Sequence, residues 1–285
     1  MTLFERDWAV TVGTLRVSRP MRVAFEIERT ARPQPSKARV RIWNLTRDHQ
    51  AQIEQAAEAQ VIVAAGFTGD RGAETLFRGE LFRARGQQAP TIRTETSAVE
   101  AVTHVEARDG GRAYQRARVA RSFGPGVAVT TVLSALADAM RVGPGNLSEV
   151  AAFAELEAGG TTYPEGTVLS GQASRELTRI LAGLGLRWSV QHGALQVLRR
   201  GAALQTQAVR LSPESGLVGS PEVGTRGHVK ARALLTPALW PGRRVVLAAR
   251  HVEGAYTCRA VTYSGDSHGA EWFADVELEP AQAAA

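Results

Sequence analysis

Cysteine, lysine and long apolar runs are what this chain of 285 residues has least of. A single cysteine, Cys258, excludes an intramolecular disulfide framework and a cysteine-rich zinc site. It stands in the strand-like string YTCRAV, where a buried, inert thiol is expected rather than a nucleophile. No stretch approaches the ~18 consecutive apolar residues of a membrane-spanning helix, so membrane insertion is not expected. The N-terminus, MTLFERDWAV, carries acids and has no apolar segment followed by small residues, which argues against a Sec signal. Lysine occurs only at Lys37 and Lys230, so the basic content is almost wholly arginine. The sequence holds no GxGxxG opening a helix, no GxxxxGK[ST], no HExxH and no GxSxG elbow, and no cofactor is expected.

What is present is β-rich. From Met21 to Thr46, Val23, Phe25 and Ile27 alternate with Ala24, Glu26 and Glu28, and later Val40 and Ile42 alternate with Arg39, Arg41 and Trp43. A period of two gives each strand one inward and one outward face. The connection between them contains Pro33 and Pro35, which fix φ and remove two backbone donors, so it belongs at a sheet margin. Thr46 or Asp48 is a candidate N-cap for a short helix running to Ala59. Around this pair the pattern predicts a hairpin over Trp8–Val12 and Leu15–Val17, and strands over Gln60–Gly66, Glu74–Arg83, Thr91–Val99 and Ala101–Ala107. About seven strands and one helix make a small, nearly closed barrel over residues 1–110.

Asp109-Gly110-Gly111 breaks the pattern, and helical periodicity follows. Val129, Val132, Leu133, Leu136, Ala137 and Met140 recur at three and four, which predicts an amphipathic helix over Val127–Met140. A brief strand over Thr167–Ser170 leads to a second helix through Leu177, Ile180, Leu181 and Leu184, with Ser174 as its expected N-cap. Arg187–Val190 and Leu195–Leu198 then read as a hairpin about His192-Gly193. Residues 111–205 are thus an α/β insert. Beyond it, Gly216–Pro221 is expected as a turn-rich crossing and Gly227–Leu235, Arg243–Ala249, Gly254–Tyr263 and Glu271–Glu279 as strands of a second barrel over 206–280; the alanine-rich residues 281–285 are expected to be disordered. The fold class is mainly β, two barrels flanking a small α/β unit.

All of the net charge of +6 arises before residue 127, because acids and bases balance in the remainder. The one basic cluster is RAYQRARVAR, which places Arg112, Arg116, Arg118 and Arg121 on an expected linker strand. These four are candidate subunit or channel contacts, the subunit contact being preferred because a channel that releases DNA should not bind it tightly. Asp266, His268 and Glu271 are of the types that ligate metals or move protons. Their setting, SGDSHG, reads instead as a tight turn in which the aspartate bonds its own backbone. Trp43, Trp188, Trp240 and Trp272 fall in or beside strands, where packing explains them better than base stacking.

The segments VAFEIERTARPQPSKARVRIWNLT, FGPGVAVTTVLSALADAM, VLSGQASRELTRILAGLGLRWSVQHGALQVL, LSPESGLVGSPEV, LWPGRRVVL and YSGDSHGAEWFADVEL together resemble the baseplate hub proteins of tailed phages and contractile injection systems, the late control protein D or phage protein D group. They are spread over residues 23–278, nearly the whole chain. The resemblance implies a non-enzymatic homotrimer whose two tube-like barrels per subunit adapt a six-fold tail tube to a three-fold spike. It implies partners in the tail tube or distal tail protein, the spike and other baseplate components, with DNA passing through the lumen without specific binding. The implied location is the virion tail baseplate, assembled in the host cytoplasm, with lytic and needle functions on other polypeptides. A hub of a non-phage injection system is the alternative within this class; a stand-alone hydrolase or nucleic-acid-binding module is the alternative outside it.

Overall fold

The computed structural model describes residues 5–55, 59–70, 72–81, 92–97, 100–151, 161–199, 201–204 and 206–281. The first β-module contains β1 (Arg6–Val12), β2 (Leu15–Val17), β3 (Val23–Thr30), β4 (Lys37–Trp43), β5 (Gln60–Phe67), β6 (Gly72–Leu81), β7 (Ile92–Thr96) and β8 (Ala101–Arg108), with α1 (Arg47–Gln55) after β4. Strict alternation sets the burial: Lys37, Arg39 and Arg41 are exposed on β4, while Ala38, Val40 and Ile42 are buried. Thr46 supplies the cap of α1, its hydroxyl accepting the His49 amide at 3.3 Å. The expected extension of that helix to Ala59 and of β6 to Arg83 falls largely on residues 56–58 and 82–83, outside the described ones. Glycine closes the module at β6, where a Cβ on Gly79 would sit 2.6 Å from the Arg108 carbonyl oxygen. That close approach lets Glu80 and Leu81 pair with Arg108 and Ala107.

In the insert, the arginine-rich segment is not one strand. It divides into α2 (Gly111–Gln115) and β9 (Arg118–Phe123), because Ala113 and Tyr114 turn inward onto a separate apolar cluster whose buried members among the described residues fall within 113–197. A two-residue bridge of β10 (Val127–Ala128) with β11 (Thr162–Tyr163) precedes α3 (Val129–Met140), so the helix starts two residues later than its periodicity predicts. β12 (Thr167–Gln172) pairs with β9 and leads into α4 (Ala173–Gly183). Ser174 is not the N-cap of that helix. Gln172 holds that position, and the Ser174 hydroxyl instead donates to the Tyr114 carbonyl at 2.9 Å, tying α4 to α2. β13 (Leu186–Gln191) and β14 (Ala194–Arg199) form the expected hairpin, with His192 and Gly193 both at positive φ, as a two-residue turn of this type requires.

The second β-module contains β15 (Val209–Leu211), β16 (Leu217–Val223), β17 (Val229–Leu234), β18 (Arg244–Ala249), β19 (Val252–Asp266) and β20 (Trp272–Pro280). The expected turn at Gly216–Pro221 is strand β16 from Leu217 onward, paired irregularly with β17 around a bulge. β19, at 15 residues, is shared between the modules. Its first half pairs with β18 and its second half, Ala260–Asp266, pairs antiparallel with Ala24–Thr30 of β3. A register shift between Cys258 and Ala260 marks the handover, where the Arg259 carbonyl accepts the Ala31 amide at 2.9 Å. One sheet therefore runs β16-β17-β20-β19-β3-β4-β8 across both modules, and one apolar cluster lies behind it. Cys258 is fully buried there, and burial pushes its thiol up to about 12, as its strand setting predicts.

Candidate functional site

The outer face of the shared sheet is a wall in a single register. Val218, Arg232, Asp275, Thr262, Glu28 and Lys37 form one cross-strand row. Phe273, Ser264, Glu26, Arg39 and Glu106 form another, and Arg41, His104 and Arg93 a third. The opposite face carries Ala274, Tyr263, Ile27, Ala38 and Ala107, all buried. Several arginines on the wall hold carboxylates at close range. Arg39 bridges Glu26 at 3.1 Å and Glu28 at 3.0 Å, Arg232 grips Asp275 through two nitrogens at 2.7 and 2.9 Å, and Arg93 meets Glu95 at 2.9 Å. Exposed pairs of this kind add about 0–1 kcal/mol each to stability, so their main consequence is a locally neutral surface. Hollows of 280 Å³ beside Arg39 and Glu106 and of 420 Å³ beside Lys230 and Glu277 open on it.

Behind the wall, the three parts of the chain meet at a buried polar cluster. Arg29, in phase with Val23, Phe25 and Ile27 on β3, is 3% exposed. Its guanidinium donates to Gln191 Oε1 at 2.8 and 3.2 Å and to the Leu76 carbonyl at 2.9 Å, and desolvation lowers its pKa. Gln191 in turn donates to the Thr30 carbonyl at 2.8 Å. Asp109, 5% exposed at the end of β8, accepts from the backbone amides of His192 and Gly193 at the hairpin turn. Burial pushes its carboxyl up to about 7 against the opposing pull of Arg29. Burial and the nearby Arg29 and Arg78 lower His192 to about 3, which keeps its ring neutral. The fully buried Tyr263 of β19 stands beside Arg29, and its hydroxyl donates to the Leu239 carbonyl.

Of the arginines singled out from the sequence, Arg116, Arg118 and Arg121 are exposed; Arg112 lies on α2. Arg116 and Arg118 line one cleft with Arg78 and Arg141, while Arg121 stacks over Phe123 at 5.0 Å on β9. The SGDSHG string is half strand and half turn. The Asp266 carboxylate accepts the His268 amide at 3.0 Å and pairs with Arg22 at 2.9 Å, while Arg6 donates to the Asp266 and Gly269 carbonyls at 2.6 Å. Burial opposes ionisation of Asp266, but Arg22 and the local amides outweigh it and the net shift is downward. His268 Nδ1 faces the Ser267 hydroxyl at 2.9 Å. This is a structural turn clasped to β1 and β3, and no group of three metal-ligating side chains occurs among the described residues. Trp43 is stacked by Arg22 at 4.3 Å, Trp188 by Tyr114 at 5.1 Å, and Trp240 lies between His192 and Arg243.

With this geometry the chain is similar throughout its length to solved tail proteins. A tail protein from Neisseria meningitidis MC58 superposes with a TM-score of 0.64 at 11% identity, covering 96% of each chain. The 43 kDa tail protein of prophage MuSo2 from Shewanella oneidensis gives 0.63 at 10% identity, covering 97% of this chain and 98% of that one. The chain has a phage tail-protein fold. The E. coli c3393 protein, a type VI secretion component with structural similarity to T4 tail proteins gp27 and gp5, gives 0.58 at 11% identity, covering 96% of this chain and 77% of that one. No protein-family model matches the chain, and no curated protein matches it.

Sequence reasoning did not single out Arg29, Gln191 or Asp109. The signal was present in the alternation: Arg29 continues the inward phase of β3, and Asp109 continues that of Val105 and Ala107. A charged side chain in phase with a core stripe marks a buried polar contact.

Proposed function

We propose that this protein is a structural hub of a phage tail baseplate, with two tube-like modules, residues 1–110 and 206–280, flanking an insert of residues 111–205. Three copies close a ring in which six similar modules meet a six-fold tube above and a three-fold spike below, and DNA passes through the centre. The reading rests chiefly on the outer wall, where one cross-strand register spans two modules and carries matched charges. A surface that neutralises its own arginines releases few counterions on contact with DNA, so it guides the polymer without holding it. The same geometry suits the hub of a non-phage injection system, and the similarity to a type VI secretion component favours keeping that reading beside the first. Ring closure is tested by light scattering and negative-stain imaging of the purified protein, alone and with its tail-tube and spike partners. A trimeric mass and a three-fold annulus are expected; a monomer that persists even in the assembled baseplate would refute the proposal.

A further inference from the structure

A cleft of about 580 Å³ lies between the first β-module and the insert. One wall is β6 with Arg78, another is the junction of α2 and β9 with Arg116 and Arg118, and the third is the end of α3 with Arg141. Arg118 bonds the carbonyls of Gln115 and Ala117 at 3.4 Å. The side chains of Arg78, Arg116 and Arg141 make no ion pair or hydrogen bond among the described residues. Elsewhere on the surface Arg39, Arg179 and Arg232 each hold a carboxylate. Among the described lining residues the acids do not restore the balance: Asp109 faces the hairpin amides and Arg29, and the only other acid, Glu80, stands with Arg78, Arg116, Arg118 and Arg141. Positive charge in a low-dielectric concavity focuses its field outward and raises the local concentration of anionic partners.

We propose that this cleft docks an extended, acidic segment of a partner protein. Its volume lies in the range of ligand sites, and Met140, Val142 and Val190 supply apolar contact for the stems of acidic side chains. Among the described residues no aromatic side chain lines it, so they offer no platform for stacking a base. The cleft also reaches Arg118, the first residue of β9, which pairs with β12 along one edge while the other carries no backbone hydrogen bond among the described residues. A free edge beside a cationic cleft suits strand addition, with main-chain bonds from β9 and side-chain pairing from the arginines. A second copy of this chain is a poor occupant. Its free edge strands β2 and β15 carry Arg16 and Arg210, β7 has Glu95 already paired with Arg93, and β16 is interrupted by Pro221.

The proposal stands apart from ring closure, since the cleft is built within one chain. It is tested by fluorescence anisotropy with a labelled eight-residue peptide of alternating valine and glutamate at low salt, alongside the same peptide with lysine for glutamate. The glutamate peptide binds saturably and the lysine peptide does not. The double variant Arg116→Glu, Arg141→Glu weakens binding at least about tenfold, whereas Arg232→Glu on the outer wall leaves it within about twofold. Circular dichroism confirms that both variants are folded. Absence of saturable binding, equal affinity in the double variant, or displacement of the peptide by a single-stranded oligonucleotide at a lower concentration than by unlabelled peptide would each overturn the proposal. A subunit that stays monomeric even in the assembled baseplate would overturn the ring and leave this result unchanged.

Discussion

Replacing Asp109 by asparagine isolates the buried carboxyl that joins β8 to the β13–β14 turn. The groups facing it are the Arg29 guanidinium, the Glu80 carboxylate and the backbone amides of His192 and Gly193. Burial raises its folded-state value to about 7, against an unfolded value of about 3.9. The protonated carboxyl therefore contributes stability that is complete below about pH 4 and is lost as pH rises through 7. Between pH 5 and pH 8 this single group costs the wild-type protein roughly 2–3 kcal/mol. Asparagine has the same shape, keeps an acceptor for one turn amide and does not titrate. The Asp109→Asn variant is thus expected to match the wild type within about 1 kcal/mol at pH 5 and to exceed it by roughly 2 kcal/mol at pH 8. Urea denaturation at pH 5, 6.5 and 8 measures the difference, and contributions from all other titrating groups cancel between the two proteins. Parallel pH profiles would show that Asp109 ionises as it would in water, and the account of the junction would fail.

Arg29→Met leaves Gln191 Oε1 and the Leu76 carbonyl without their donor in a buried site, and a loss of about 3–5 kcal/mol is expected by the same urea assay; a loss under 1 kcal/mol would mean that water replaces the guanidinium. Asp266→Ala removes the Arg22 pair and the His268 amide contact from a partly exposed turn, which should lower stability by about 1–2 kcal/mol in thermal scans and change no hydrolytic activity. Reversing Glu26, Glu28 and Asp275 to lysine converts the neutral wall into a basic one. Duplex DNA should then bind with a steep salt dependence that the wild type lacks, measured by anisotropy from 50 to 200 mM salt.

Local patterning carried much of this fold. The alternation in β3 and β4, the three-and-four spacing of α3 and α4, and the His192-Gly193 turn each follow from a few neighbouring residues, because backbone sterics and amphipathic burial act over that range. The handover in β19 was not legible. Nothing near Arg259 announces that the residues after it pair with β3, since strand partnership is decided by shape across the molecule. The arginine cluster was visible as composition, yet its division into α2 and β9 depends on where Ala113 and Tyr114 find an apolar surface. Ser174 shows the converse: a residue well suited to capping was drawn away by the Tyr114 carbonyl.

The shared strand also sets an order of events during synthesis. β3 emerges from the ribosome by residue 30, but the segment that covers its edge does not exist until residues 260–266 are made. For most of translation the early module presents an unprotected row of amides and carbonyls, a template for mispairing with neighbouring nascent chains. Slow release of the last strands, or their truncation, should therefore be felt first as aggregation of the N-terminal half, far along the sequence from the lesion itself.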